Sequence, residues 1–301
     1  MTGLSSRAQY WAWRLVSATM WRLPPGLGYA AATAVGTAGF YLWPGGRRAM
    51  LANYRRVLPG ASRDDLRRVA RRSLVNYCEY LVDFVRFPHM DGREINALVA
   101  DGGEFAELDR ALADGKGAVI VCMHFGNWDM GAGAAAARGY PLTVVAETFA
   151  DPRLDAMVAG ARERLGMRIV KMDRAGPSLF RALKAGGLVA LLIDHPMDGD
   201  GVRVRFFGEE VDVPSGAARL ALRTGAKVVP TAFVRAKRGE PGVRTWCDFS
   251  IELPHTGDRE RDVLELTQAI VASHERFIRR NPDQWYMFRR MFAARQRAGA
   301  A

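Results

Sequence analysis

The chain has 301 residues, 49% of them hydrophobic, and a net charge of +11. That is enough apolar material for a sizeable core, and it excludes disorder as the default state. Its three cysteines, Cys78, Cys122 and Cys247, lie far apart with neither disulfide nor metal-ligand spacing, which fits a reduced, cytoplasmic setting.

The charge is uneven. Residues 1–72 hold twelve Arg, no Lys and, as acids, only Asp64 and Asp65, and the same quarter carries Trp11, Trp13, Trp21 and Trp43 with Tyr10, Phe40 and Tyr41. Arg beside Trp and Tyr between apolar runs is the composition of a membrane interface, where amphipathic rings sit at headgroup level and cations meet anionic lipid. A basic chain can also bind nucleic acid through phosphate contacts, but no nucleic-acid-reading module is visible here.

In chain order, residues 5–86 read as helices: an aromatic and basic one, the uncharged stretch Leu23 to Gly46, a short one around Met50 to Val57, and a longer one from Ser62. The uncharged stretch is long enough to span a bilayer. It opens Leu-Pro-Pro-Gly and is rich in Ala, Gly and Thr, so a helix lying on or dipping into the membrane is favoured over a span. Trp11, Trp13 and Arg14 interrupt any signal-peptide core. In the longer helix Leu66, Val69, Leu74, Tyr77, Leu81 and Phe84 recur at helical spacing, and Arg67, Arg68, Arg71 and Arg72 read as a solvated face, with lipid headgroup contact as the alternative.

From about residue 104 helices and strands alternate. Helices are expected at Glu104 to Asp114, Trp128 to Ala137, Leu154 to Leu165, Pro177 to Lys184, Ser215 to Thr224 and from about Arg259. Strands are expected at Ala118 to Met123, Leu142 to Ala146, Arg168 to Val170, Leu188 to Ile193, Val202 to Phe207, Lys227 to Val234 and Thr245 to Leu253. Such alternation with short loops predicts an α/β fold, a mostly parallel sheet flanked by helices. We expect one domain over 1–301, with 1–86 as a basic, membrane-facing helical layer and 104–292 as the catalytic α/β core.

Open α/β sheets bind ligands beyond the carboxyl ends of their strands. The expected strands end at His124, at Glu147, before Asp173-Arg174, and at Asp194-His195, so several titratable groups converge on one sheet edge. Five residues after His124, beyond the strand-breaking Gly126-Asn127, Asp129 falls in the first turn of a helix. Three chemistries can use this pair. His124 can act as general base on a hydroxyl with Asp129 fixing its tautomer. Cys122 can act as nucleophile with His124 as its base, although residues i and i+2 of a strand stand nearly 7 Å apart at about 3.3 Å per residue. A metal can be held by His124, Asp129, Asp194, His195, Asp198 and Asp200, although Asp, Gly and Pro at 194–200 are also turn residues.

His124-x4-Asp129 after an apolar strand resembles the catalytic motif of the glycerolipid and lipid A acyltransferases. The ending Asn281-Pro282-Asp283-Gln284-Trp285 through Phe292 is similar to that of the late lipid A acyltransferases and their relatives, the phosphatidylinositol mannoside acyltransferases. The blocks Phe206-Phe207-Gly208, Pro214-Ser215-Gly216-Ala217 and Thr224-Gly225-Ala226 resemble that family as well. The resemblance implies a glycerol-3-phosphate acyltransferase-like fold in which His124 deprotonates an acceptor hydroxyl that attacks an acyl thioester, with Asp129 orienting the base. It implies Glu147, Arg162 and Asp194 as further substrate-binding residues, acyl-CoA or acyl carrier protein as donor, membrane lipids as partners, and no cofactor. It also implies peripheral or monotopic attachment at the cytoplasmic face of a bacterial plasma membrane.

Heavy Arg and Ala usage suggests a GC-rich genome and favours a phosphatidylinositol mannoside acceptor, with lipid A or a lysophospholipid as alternatives. Asp194-His195-Pro196 departs from the Glu-Arg expected of the mannoside branch, which bears on the acceptor. Outside the class stand a metal-dependent lipid hydrolase and a non-catalytic membrane-binding protein.

Overall fold

The computed structural model describes residues 3–146, 149, 151–171, 175–194, 201–237 and 239–292. Four helices come first: α1 (Gly3–Arg22), α2 (Pro25–Leu42), α3 (Pro44–Val57) and α4 (Arg63–Arg86). Proline sets two of these boundaries, because Pro25 and Pro44 each stand in a first helical turn, where a missing N–H costs nothing. The uncharged stretch is therefore divided between α2 and the start of α3. Among the described residues no helix is long and apolar enough to cross a membrane. Ser62 caps α4 by accepting from the Asp65 N–H. Helix α2 lies close against α4: a Cβ on Gly36 would come within 2.7 Å of the Val75 backbone.

The α/β part follows in the expected alternation: α5 (Gly92–Leu98), β1 (Val99–Ala100), α6 (Glu104–Leu112), β2 (Ala118–Cys122), α7 (Trp128–Ala137), β3 (Leu142–Ala146), α8 (Pro152–Arg164), β4 (Arg168–Lys171), α9 (Ala175–Lys184) and β5 (Leu188–Leu192). After these come β6 (Gly201–Phe206), β7 (Glu209–Pro214), α10 (Gly216–Thr224), β8 (Lys227–Arg235), β9 (Val243–Cys247) and α11 (Arg259–Arg280). Seven strands form one sheet in the order β1-β9-β8-β2-β5-β3-β4, parallel except where β9 runs against β8. The mostly parallel α/β expectation holds.

Two expectations are corrected. Val202 to Phe207 is half of a hairpin, Gly201–Phe206 pairing with Glu209–Pro214. Its turn, Phe207-Gly208, has φ values of 49° and 83°, the two positive angles a tight hairpin turn needs. The strand expected at Thr245 to Leu253 stops at Cys247, because the Asp248 carboxylate accepts from the Ser250 N–H and hydroxyl and from Ser273, folding the chain out of the ladder.

Helices cover both faces of the sheet. Beneath one face Val119, Val121 and Val189 are fully buried with α10, α11 and Trp285. The other face meets α5, α6 and α7 through Ile95, Phe105, Leu108 and Met130.

Candidate active site

Strand β2 lies between β5 and β8, and the chain leaves its carboxyl end through Met123, His124, Phe125 and Gly126. Gly126 has a φ of +68°, and a Cβ there would lie 1.9 Å from the Phe233 carbonyl oxygen, so only glycine fits this approach. Asn127 then caps α7, its side-chain oxygen accepting from the Met130 N–H at 3.0 Å, as the Gly-Asn signal predicts. The segment after α11 braces the loop from above. The Tyr286 N–H donates to the His124 carbonyl at 2.8 Å, and the Gly126 N–H to the Gln284 carbonyl at 2.9 Å.

Register decides the partner of His124. Cys122 pairs with Leu192 across β2 and β5, so residues two places beyond each strand, His124 and Asp194, come side by side. The His124 Nδ1 lies 2.7 Å from the Asp194 Oδ1, and the His124 backbone N–H donates to Asp194 Oδ2 at 2.9 Å. The Trp285 indole N–H also donates to Oδ2, at 3.4 Å. Asp194 is fully buried, whereas the His124 side chain keeps 23% of its surface accessible. A carboxylate at Nδ1 selects the tautomer with the proton there and leaves the lone pair on Nε2, the arrangement of a general base.

Asp129, expected to orient His124, does something else here. Its Oδ1 accepts from Arg162 Nε at 2.9 Å and Nη2 at 2.7 Å, and its Oδ2 accepts from the Tyr80 hydroxyl at 2.8 Å. The carboxylate that meets the imidazole is Asp194. The reason lies in direction: a side chain in the first turn of α7 is carried toward α4 and α8, which supply Tyr80 and Arg162. Burial acts to lower the Arg162 pKa, but the Asp129 charge and hydrogen bonds outweigh it and the net shift is upward. Burial, and then the Asp129 charge, hold the Tyr80 hydroxyl well above its ordinary value.

His124, Asp129 and Arg162 share one cavity of about 860 Å³. Its lining draws on both faces of the sheet: Ile120, Val144 and Ala190 on the face toward α7, and Val145, Leu191 and Leu179 on the other. In a parallel sheet covered on both sides, both faces should be buried. Yet Ile120, Val144 and Ala190 keep accessible surface, and Leu192 is 36% exposed. Beside the buried contact through Met130, an apolar part of the cavity lies between this face and α7, and His124, Asp129 and Arg162 border the same cavity. Cys122 also borders it, but burial raises its thiol far above the usual range, which removes the thiolate that a nucleophile requires.

Of the other expected site residues, Glu147 lies outside the described residues, as do Asp173, Arg174, His195, Asp198 and Asp200. Among the described residues no group of three or more His, Cys, Asp or Glu is placed to hold a metal.

Sequence reasoning missed the polar stripe on α4. Ser73, Asn76, Tyr80 and Asp83, at spacings of three and four, are all buried. Ser73 donates to the Trp285 carbonyl and Asn76 to the Asp283 carbonyl. Asp83 accepts from Asn127 at 2.9 Å, from Arg235 at 2.5 Å and from the Tyr29 hydroxyl. Arg235 also pairs with buried Glu79 at 3.3 Å. Helical spacing of polar residues beside an apolar stripe was the signal available. By contrast Arg67 and Arg68 are solvated, each paired with an acid one turn away.

A mostly parallel α/β sheet that presents a histidine–carboxylate pair at a strand's carboxyl end beside an apolar cavity defines the class: an α/β fold with its candidate site at the carboxyl edge of the sheet. Residues 4–294 match the family model described as bacterial lipid A biosynthesis acyltransferase. The chain is also similar to the phosphatidylinositol mannoside acyltransferase of Mycolicibacterium smegmatis (strain ATCC 700084 / mc(2)155), 30% identical over 91% of this chain and 89% of the relative. The protein of the same name from Mycobacterium tuberculosis (strain CDC 1551 / Oshkosh) is 31% identical over 85% of this chain and 80% of the relative. The chain belongs to the bacterial lipid A biosynthesis acyltransferase family and is an acyltransferase.

Proposed function

We propose that this protein transfers a fatty acyl chain from a thioester carrier, acyl-CoA or acyl carrier protein, to a hydroxyl of a membrane glycolipid, with a phosphatidylinositol mannoside as the favoured acceptor. The observation that carries the reading is the His124–Asp194 contact beside the apolar cavity. His124 Nε2 takes the proton of the acceptor hydroxyl as its oxygen attacks the thioester carbonyl carbon. The C–S bond then breaks, and the departing sulfur takes the proton from the imidazolium. Asp194, through Nδ1, steadies the tautomer and the transient positive charge. The Asp129–Arg162–Tyr80 cluster shapes the mouth, and the cavity below takes the acyl chain, whose exposure would cost about 0.8 kcal/mol per methylene.

The names of the mycobacterial relatives and the Arg- and Ala-rich composition support the mannoside acceptor. The first three helices support membrane association: Leu15, Val35 and Leu42 are each more than 60% exposed, beside exposed Arg14, Arg22 and Arg48. His124→Ala is expected to lower acyl transfer by at least about 10²-fold, with folding and vesicle binding kept, when labelled acyl-CoA and mannoside lipid are supplied. Appreciable residual turnover in that variant would sink the general-base role.

A further inference from the structure

We infer that Ala132 and Ala135 of α7 act as a graded ruler that sets the length of the acyl chain; this rests on the acyl-transfer reading above. On the face toward α7 the side chains descend from His124 in rows set by register. Cys122 stands beside Leu192, Ile120 beside Ala190 and Val144, and at the bottom Leu188 beside Leu142. Leu188 is level with Ala118, six residues before His124, so the cavity runs about 20 Å down the sheet at about 3.3 Å per residue. Leu142 and Leu188, nearly fully buried, stand at its floor.

Helix α7 forms the opposite wall. As the crossover between parallel strands it runs back against them, starting at Trp128, whose ring lies 5.2 Å from the imidazole. At about 1.5 Å per residue, Ala132 lies roughly 6 Å below Trp128 and Ala135 roughly 10 Å below. Both line the cavity and keep accessible surface, while Ala134 and Ala136, turned elsewhere on the helix, are buried. Gly131 also lines it, but a Cβ there would meet the Phe233 ring at 2.2 Å, so that position has no freedom to vary. Ala132 and Ala135 are packed against the core on one side and keep surface toward the cavity on the other.

The test is the chain-length profile of wild type, Ala135→Leu and Ala132→Leu with a graded series of acyl-CoAs in competition. Ala135→Leu should move the optimum to shorter chains, and Ala132→Leu to shorter chains still. Turnover of the longest donor should fall about 10-fold or more while the shortest is kept. Filling empty apolar space should raise the melting temperature of each ligand-free variant by a few degrees, so a lost length is not a lost fold. Should a leucine variant fail to fold, Ala132→Val and Ala135→Val are expected to show smaller shifts in the same order.

Stabilisation by free fatty acids of the same lengths gives a second readout without turnover. If it follows the predicted order while no variant transfers acyl groups, the ruler stands and the transfer reading fails. Folded variants with an unchanged length profile, equal shifts or the reverse order overturn the ruler.

Discussion

Two carboxylates stand near His124, and their partners separate their roles. Asp194, fully buried, spends one oxygen on the ring and the other on the backbone N–H of the same residue. Asp129 spends both on Arg162 and Tyr80. The paired substitutions should therefore behave differently. Asp194→Asn is expected to lower kcat by about 10²- to 10⁴-fold, because the amide disturbs the tautomer as in other His–Asp pairs. Asp129→Asn leaves Arg162 without its counter-charge and is expected to cost about 3–5 kcal/mol of stability. Urea unfolding beside steady-state kinetics checks both, and turnover lost from a fully stable Asp129→Asn would make Asp129 the orienter after all. The placement of His124 was legible in the sequence as a histidine ending an apolar strand. Its partner was not, because the pairing of β2 with β5, 70 residues apart, selects Asp194 over a carboxylate only five residues away.

Helix α11 carries His274, fully buried, whose Nε2 lies 3.1 Å from the Val121 carbonyl in the strand that leads to His124. Burial lowers its pKa from 6.5 to about 4, against a smaller opposing effect from Asp194. The sign follows from proton uptake. Between about pH 6.5 and 4 the unfolded chain binds a proton there and the folded protein does not. The stability from a neutral His274 is thus fully present above pH 6.5 and is lost as pH falls toward 4, by about 3 kcal/mol. Urea midpoints measured at pH 7 and pH 4.5 should show this loss, and His274→Gln should shrink it; an undiminished acid loss in the variant would assign the effect to other groups. Most elements were legible from periodicity and breakers, to within a residue or two for α7, β3 and α10. The β6–β7 hairpin was not resolved as two strands, because its turn places Phe207, a residue with no turn preference, at a positive φ.

At the scale of the molecule, the basic first quarter and the cavity belong to one arrangement. Helix α4 meets the α/β part with Tyr80 and Asp83 and packs against α2, whose Tyr29 also donates to Asp83, while α1 and α2 leave Trp11, Leu15, Leu27 and Leu42 exposed. With docking by this face, Leu15→Ser and Leu42→Ser together should weaken binding to anionic vesicles in a flotation assay. Added salt should weaken it further by screening the arginines over a Debye length of about 10 Å at 0.1 M. Wild-type binding that neither change affects would place the membrane contact elsewhere.

By itself the sequence determined the alternation of strands and helices, the delivery of His124 to a strand end, the cap at Asn127 and the membrane-like composition of the first quarter. Each depends on neighbours along the chain: side-chain branching, helical or alternate spacing, and residues that break or cap an element. Only the tertiary structure decided that Asp194 meets the imidazole, that Asp129 closes on Arg162 and Tyr80, that Gln284 and Tyr286 brace the loop at 124–126, and that a cavity remains between the sheet and α7. Those outcomes depend on strand order and register between distant segments, and on where the small side chains of α7 leave space unfilled, which no local pattern encodes.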